Sequence, residues 1–362
     1  MISTIIQQTR RLRTNAQLSH PYTRQYAFVG MGSHSMSNLY PVLNLLRVPL
    51  KYICVTSPRK ARLISRNPFY NFGGTTPSTS LSDVLSDPDI SAVFVSASPA
   101  AHFRIASSVL RQGKSLFIEK PPCRTLAQLE SLIALQTQTD TLVQVGMQKR
   151  YAPSIRRLKA RLRNDSVCNY SLRYCVGRYP EGKALTELFI HPIDLSIHLF
   201  GPADIIALRQ ASSQTLVLML AHGNTAGTLE LSTGYSWTTP IENLSVHTRK
   251  GLYKLTSIDT LTFVPATTPV AGLPWEKIKH PDVSVEHLCH HDSFSPTLAS
   301  SLWVEHGFYH ELKDFVDGVE HTFPIYAKPF FASKYRPTLQ SLLPTYRLLE
   351  QISRNQASAT SP

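Results

Sequence analysis

The 362-residue sequence predicts an α/β protein whose first half is built on a parallel sheet. Three observations carry that prediction. Short apolar runs alternate with segments of helical character from Tyr26 to Val145. The first run ends in Gly30-Met31-Gly32-Ser33-His34-Ser35 and leads into one of those helices. A later run, Leu116 to Ile118, stops at Glu119-Lys120-Pro121-Pro122, where proline cannot donate to a sheet ladder. A carboxylate and an ammonium are thereby left at the carboxyl end of a core strand, the edge where open α/β sheets bind ligands.

Taken in order, residues 1–24 are rich in Gln, Thr and Arg and carry no acid, so they read as a mobile basic arm. Their composition also fits a mitochondrial transit peptide, although Ser and Ala are scarce. The strand Tyr26–Val29 then enters G-x-G-x-x-S, a dinucleotide fingerprint whose third glycine is replaced. Gly30 permits the tight turn, and Gly32 lets the backbone approach a pyrophosphate. Ser33 and His34 open a helix, about Met36 to Leu46, whose amide-rich N-terminus faces that anion. A second strand, Tyr52–Val55, runs into Thr56-Ser57-Pro58-Arg59-Lys60. NAD-preferring sites place an acid about 20 residues past the glycines, on the ribose 2′-hydroxyl. None precedes Asp83, and Ser57, Arg59 and Lys60 offer a hydroxyl and two cations where a 2′-phosphate would lie. NADP(H) is therefore expected over NAD(H). A helix over Leu81–Leu85, a strand over Ile90–Val95 and the loop Ser96 to His102 follow, and that loop enters a helix ending near Leu110. Beyond Lys120 come a helix, Leu126–Gln136, and a strand, Leu142–Val145, which ends in Gly146 to Tyr151.

The net charge of +13 is unevenly placed, because ten cations and no anion precede Asp83. Such a block implies an anionic partner. The cations form no run and do not interleave with aromatics, which argues against nucleic acid. No apolar run is long enough to span a bilayer, so no membrane partner is expected. The five cysteines, Cys54, Cys123, Cys168, Cys175 and Cys289, are odd in number and scattered. Free thiols in a reducing, cytoplasmic setting are expected.

With these pieces in register, the chain resembles the Gfo/Idh/MocA oxidoreductases (glucose-fructose oxidoreductase, inositol dehydrogenase and relatives). The matching residues are Gly30-Met31-Gly32, Ser98-Pro99-Ala100-Ala101-His102, Gly113-Lys114 leading to Glu119-Lys120-Pro121, and Val145-Gly146 leading to Arg150. They fall in the first 200 residues. The resemblance implies a Rossmann domain over 25–150. It also implies a C-terminal α/β domain over 151–352 with a large, mostly antiparallel sheet, through which the chain would form a homo-oligomer. It places Ser98, His102 and Glu119 at the cofactor and Lys120 beside the nicotinamide, with a Lys-Pro bond that is often cis in the family.

The second half fits that outline. Thr215–Leu220 and Gly227–Leu231 flank Gly223-Asn224 as a hairpin, and Glu242–Thr248 and Leu252–Thr256 flank Arg249-Lys250-Gly251 as another. Residues 265–300 read as a long loop, and late helices are expected over Val304–Val319 and Pro337–Ile352, before a tail at 353–362. The informative stretch is Thr186 to His198, where Glu187, His191, Asp194 and His198 would form one polar stripe on a helix. The family pattern has a glycine-rich run and then an Asp four residues before a His. Here the run is reduced to Gly182, Glu187 stands where Asp is usual, and Pro192 falls where a helix interior is expected.

A hydroxyl that loses hydride must also lose its proton, so a base is required within hydrogen-bond reach. His191, with an ordinary pKa near neutrality, is expected in that role. Lys120 is expected to stabilise the developing alkoxide, and Glu187 to orient the pair. Arg150, Tyr151, Lys183 and Asp194 are expected in the substrate pocket. Glu187, His191 and His198 carry metal-ligand chemistry, as does the His287–Asp292 run, but neither has a paired spacing, and no metal is expected. The opposing reading is a non-catalytic NADP-binding regulatory or assembly protein. An imine substrate in place of a carbonyl is a third.

Overall fold

The computed structural model describes residues 2–9, 22–66, 74–267, 284–291, 301–320 and 336–360, with isolated residues between 269 and 298. After α1 (residues 2–9) the chain enters β1 (Gln25–Val29), whose Tyr26, Ala27 and Phe28 are wholly buried. A strand buried on both faces belongs in a parallel sheet with helices on either side. A π turn over Ser35–Leu39 continues into α2 (Tyr40–Leu45). Then follow β2 (Leu50–Cys54), α3 (Pro58–Arg66), β3 (Thr76–Ser78), α4 (Leu81–Ser86), β4 (Ile90–Val95) and α5 (Pro99–Arg111). β5 (Ser115–Glu119), α6 (Leu126–Thr139) and β6 (Val143–Gly146) complete the alternation. The six strands pair in the order β3-β2-β1-β4-β5-β6, all parallel. The order reverses between β1 and β4, which places a ligand crevice beyond their carboxyl ends.

A 3₁₀ turn (Gln148–Tyr151) and α7 (Pro153–Leu162) lead to β7 (Val167–Cys175), a second π turn (Ala184–Leu188) and α8 (Ile190–Phe200). Six strands follow: β8 (Asp204–Ser212), β9 (Thr215–His222), β10 (Thr225–Ser232), β11 (Ile241–Thr248), β12 (Gly251–Thr256) and β13 (Thr260–Pro265). β14 (Glu286–Cys289), α9 (Leu302–Glu305), α10 (Phe308–Glu320) and α11 (Leu343–Thr360) end the chain. The second sheet has eight strands in the order β14-β13-β12-β11-β7-β10-β9-β8. Its pairs are antiparallel except β7 with β10. On β9, Leu216, Leu218 and Leu220 are buried while Val217 and Met219 are exposed, so one face is covered and the other open.

Five expectations are corrected. The polar stripe is not one helix: Glu187 lies in the π turn, and α8 begins only at Ile190. Pro192 therefore falls in the first turn, where a missing N–H leaves no bond unmade. The helix expected over Val304–Val319 breaks at Gly307 (φ 93°), where a Cβ would stand 2.1 Å from the Gln148 carbonyl oxygen. Part of the predicted 265–300 loop is β14, which pairs His287 and Cys289 with β13; Asp292 lies outside the described residues. At the ends of the chain, α11 runs through the expected tail to Thr360. In the expected arm, Thr23 and Arg24 are tied by their backbone N–H groups to the Glu320 carboxylate on α10.

Candidate active site

The glycine loop is shaped by two different needs. Gly30 (φ 118°) has its backbone against the loop after β4, and a Cβ there would meet Ser96 O at 2.0 Å. No larger residue fits that approach. At Gly32 a Cβ would meet no protein atom within 4 Å, and the residue faces a cavity of about 1200 Å³. A glycine kept where the protein leaves open space marks a place for a ligand that comes close to the backbone. Ser35, at the third-glycine position, is buried and accepts the Gly32 N–H through Oγ at 2.9 Å. Gly30, Gly32, Ser33, His34, Lys60 and Ser98 all line the cavity. No Asp or Glu does. A nucleotide diphosphate fits this chemistry: an open glycine backbone, a helix N-terminus and a lining whose formal charges are all positive.

Five of the expected cofactor contacts, Ser57, Arg59, His102, Glu119 and Lys120, are not part of the cavity lining. Ser57 and Arg59 are absent from the lining although the neighbouring Lys60 is part of it. His102 is 1% exposed, and its Nδ1 donates to Pro121 O at 2.8 Å, so it props the loop after β5 from beneath.

Glu119 and Lys120 leave β5 together, and the Lys120–Pro121 peptide bond is cis. Glu119 is buried, with His34 Nε2 3.3 Å from its carboxylate. Burial opposes its charge, but His34 and Lys120 outweigh burial and hold the carboxyl below its usual range. Gly146 on neighbouring β6 makes the room, since a Cβ there would lie 2.8 Å from Glu119 Oε1. Lys120 Nζ donates to the main-chain carbonyl of Glu187 at 2.8 Å. Burial, joined by the like charge of Lys149, pushes its ammonium below the ordinary lysine range.

The second π turn and the start of α8 meet Lys120 from the C-terminal half. The Glu187 carboxylate accepts from Tyr179 OH at 3.3 Å, and Gly182 packs directly on it. A Cβ at Gly182 would be 2.0 Å from Glu187 Oε2, so a larger residue there would displace the carboxylate. His191 is 7% exposed and has no hydrogen-bond partner among the described residues. Burial, then Lys120, Lys149 and His34, push its imidazole well below the ordinary histidine range. Burial and these cations disfavour its protonated form, in contrast to the expected titration near neutrality.

Arg150, Tyr151 and Asp194, expected in the substrate pocket, are turned inward. Arg150 and Asp194 are both buried and paired bidentately, Nε–Oδ2 2.8 Å and Nη2–Oδ1 2.5 Å. Thr345 Oγ1 donates to the same carboxylate at 3.1 Å, and Tyr151 OH donates to Asp314 at 2.6 Å. These groups have spent their polar atoms on one another and clamp α8, α10 and α11 to the turn after β6. Lys183 is exposed, just before the π turn.

The residue missed from the sequence is Lys149. It ion-pairs with Glu242 of β11, and its Nζ lies 4.7 Å from the Tyr174 ring centroid on β7. Its charge acts on both Lys120 and His191. The only signal was a Lys-Arg pair after Gly146, and the 3₁₀ turn decides which of the two faces the site.

A parallel sheet with a glycine loop at its switch point and an ionisable residue pair at the next strand end defines a dinucleotide-binding α/β protein. Residues 24–147 match the Gfo/Idh/MocA family, described as an oxidoreductase family with an NAD-binding Rossmann fold. That match covers the dinucleotide-binding domain and not the second half of the chain. It is 31% identical over 119 residues to an inositol 2-dehydrogenase/D-chiro-inositol 3-dehydrogenase of Lacticaseibacillus casei, covering 31% of this chain and 34% of that one. The curated relatives are matched over about half of their length or less. In fold, a dehydrogenase from Chromobacterium violaceum superposes with a TM-score of 0.73 at 20% identity, over 94% of this chain and 97% of that chain. A levoglucosan dehydrogenase in complex with NADH and L-sorbose gives 0.73 at 14% identity, over 92% and 97%.

Proposed function

We propose that the protein is an NADP(H)-dependent oxidoreductase acting on a carbonyl or alcohol carbon of a small polyol-like or cyclic substrate. One observation carries this reading: Lys120, from the end of β5, and His191, from the start of α8, converge with opposite assets. Lys120 holds an ammonium whose proton burial has loosened. His191 holds a free lone pair. Bound in the glycine-lined cavity, a nicotinamide would supply or accept the hydride. For alcohol oxidation, His191 takes the hydroxyl proton on its unprotonated ring nitrogen, and Lys120 Nζ donates a hydrogen bond to the oxygen as negative charge develops. In the reverse direction Lys120 polarises the carbonyl and the same proton returns. Glu187 fixes the lysine through its main-chain carbonyl, and Lys149 adds positive potential that favours the oxyanion. Lys183 stands at the exposed rim, where an acidic substrate group could meet it.

The acid-free cavity lining supports NADP(H) over NAD(H), although the levoglucosan dehydrogenase of similar fold carries NADH. Association of copies through the open face of the eight-stranded sheet is part of the same reading. Ile206, Val217 and Met219 are 53%, 38% and 41% exposed there. Light scattering of Val217→Glu with Met219→Glu should show a smaller species than wild type.

The test is turnover with NADPH and NADH against a panel of sugars, polyols, ketones and imines. Turnover on a carbonyl or alcohol with NADPH supports the reading. Tight NADPH binding without turnover on any member would favour the non-catalytic alternative.

A further inference from the structure

The cavity does not stop at the pyrophosphate position. From the glycine loop it continues past Thr56 and Lys60 to a wall made by α4 and α5. On α5, Ala101, Arg104, Ile105, Ser108 and Arg111 all line it. Their spacing of three, one, three and three places them on one helix face. Its formally charged lining residues are Lys60, Arg104 and Arg111. His34 also lines it but already faces Glu119. The side chains of Lys60 and Arg104 make no ion pair or hydrogen bond among the described residues. An unpaired guanidinium opening into an acid-free cavity has a fork of donors and no acceptor, and that is the chemistry that binds a phosphate dianion.

Topology sets where such a phosphate would sit. α3, which carries Lys60, follows β2, and α5, which carries Arg104, follows β4; β2 and β4 lie on either side of β1. Two strand spacings put those carboxyl ends about 10 Å apart. Both helices start at this edge, and Lys60 and Arg104 line one cavity together with the glycine loop, a lining that does not include Lys120. We propose that Arg104 is a cofactor-specificity residue that joins Lys60 in holding the phosphate monoester on the adenosine ribose. The inference rests on the NADP(H) reading above. Arg111 lies seven residues further along α5, about 10 Å by helical rise, and is outside this subsite.

The test uses the full-length protein and calorimetric titration with 2′,5′-ADP and 5′-ADP, ligands that differ only in the ribose phosphate. R104Q and K60Q should each weaken 2′,5′-ADP by roughly 10-fold or more, the scale of a hydrogen bond to a charged group. Binding of 5′-ADP should stay within about 2-fold, and R111Q should leave both ligands within the same margin. An unchanged thermal midpoint in each variant confines the effect to binding. The inference is overturned if R104Q binds 2′,5′-ADP like wild type, or weakens both nucleotides alike. It is also overturned if R111Q loses as much as R104Q, because the effect is then a diffuse field and not a contact. If K60Q loses discrimination and R104Q does not, the NADP(H) reading stands and this inference fails. If wild type binds both nucleotides equally, the NADP(H) reading itself fails, and this inference with it.

Discussion

At the scale of single residues, function rests on which of several similar side chains is turned toward the crevice. Lys149 and Arg150 are adjacent cations with opposite fates: one faces Lys120 and His191, the other is sealed against Asp194. Lys120→Met and His191→Ala should each lower kcat by roughly 10²–10⁴ on a confirmed substrate, with NADPH affinity within a few-fold of wild type. Full turnover in Lys120→Met would remove the lysine from the mechanism. Glu311 on α10 makes a different prediction. It is wholly buried, and apart from an approach by the Met147 N–H its carboxyl oxygens have no hydrogen-bond partner among the described residues. Burial, then the charges of Glu119 and Asp314, push its pKa well above the ordinary 4.5, outweighing the Met147 N–H and Arg150, which favour its ionised form. A folded-state pKa above the unfolded one gives stability that is present below pH 4.5 and is lost as pH rises toward the folded value. Glu311→Gln cannot ionise, so its Tm should match or trail wild type at low pH and overtake it as pH rises toward neutrality. A Tm difference that does not change with pH would show that Glu311 is already ionised in the fold.

At the scale of elements, two breaks in helices build the site. The first is Phe189, between the π turn and α8, which lets the Glu187 carbonyl reach Lys120 while His191 occupies the first turn of the new helix. The second is Gly307, which folds α10 back so that the loop before it rests on the Gln148–Tyr151 turn. Gly307→Ala places a Cβ against the Gln148 carbonyl at a positive φ, and should destabilise by at least about 1–2 kcal/mol. Because that turn carries Lys149, KM should rise as well. A denaturant midpoint equal to wild type would show the turn to be free to move. The Arg150–Asp194 clamp is more costly to break. Asp194→Ala leaves a guanidinium buried without its counter-ion, so a loss of about 3–5 kcal/mol in urea unfolding is expected. A loss below about 1 kcal/mol would mean water reaches Arg150.

At the scale of the whole molecule, the chain's two halves share structure. α10 comes from the C-terminal half but packs on the first sheet. The Phe315 ring lies 5.2 Å from that of Phe94 and 5.7 Å from that of Phe117, and Leu312 and Val316 are fully buried beside them. Gln144 on β6 donates to Glu311 O, and Pro337 O accepts the Val145 N–H. Residues 25–150 expressed alone therefore lack the cover for one face of their sheet. They should bind a hydrophobic dye and give a poorly dispersed amide spectrum. A sharp, cooperative melt of that fragment would show that α2 and α3 suffice.

The alternation of strands and helices, the glycine loop, and the strand that ends in Glu-Lys-Pro were legible in the sequence because each depends on neighbours within a few residues. Hydrophobic period and the φ demands of glycine and proline are local properties. The acid-free stretch before Asp83 was equally plain, since charge can be counted without coordinates. Register and direction were not legible. Which cation of Lys149-Arg150 faces the crevice depends on contacts between residues far apart in the chain, with Glu242 for the one and Asp194 for the other. Tertiary structure alone decided that Asp194 would be spent on Arg150 and that Arg104, on a helix 44 residues beyond Lys60, would open into the same cavity. The pKa of His191 was decided there too, because removing an imidazole from water beside two ammonium groups costs charge wherever the fold brings them together.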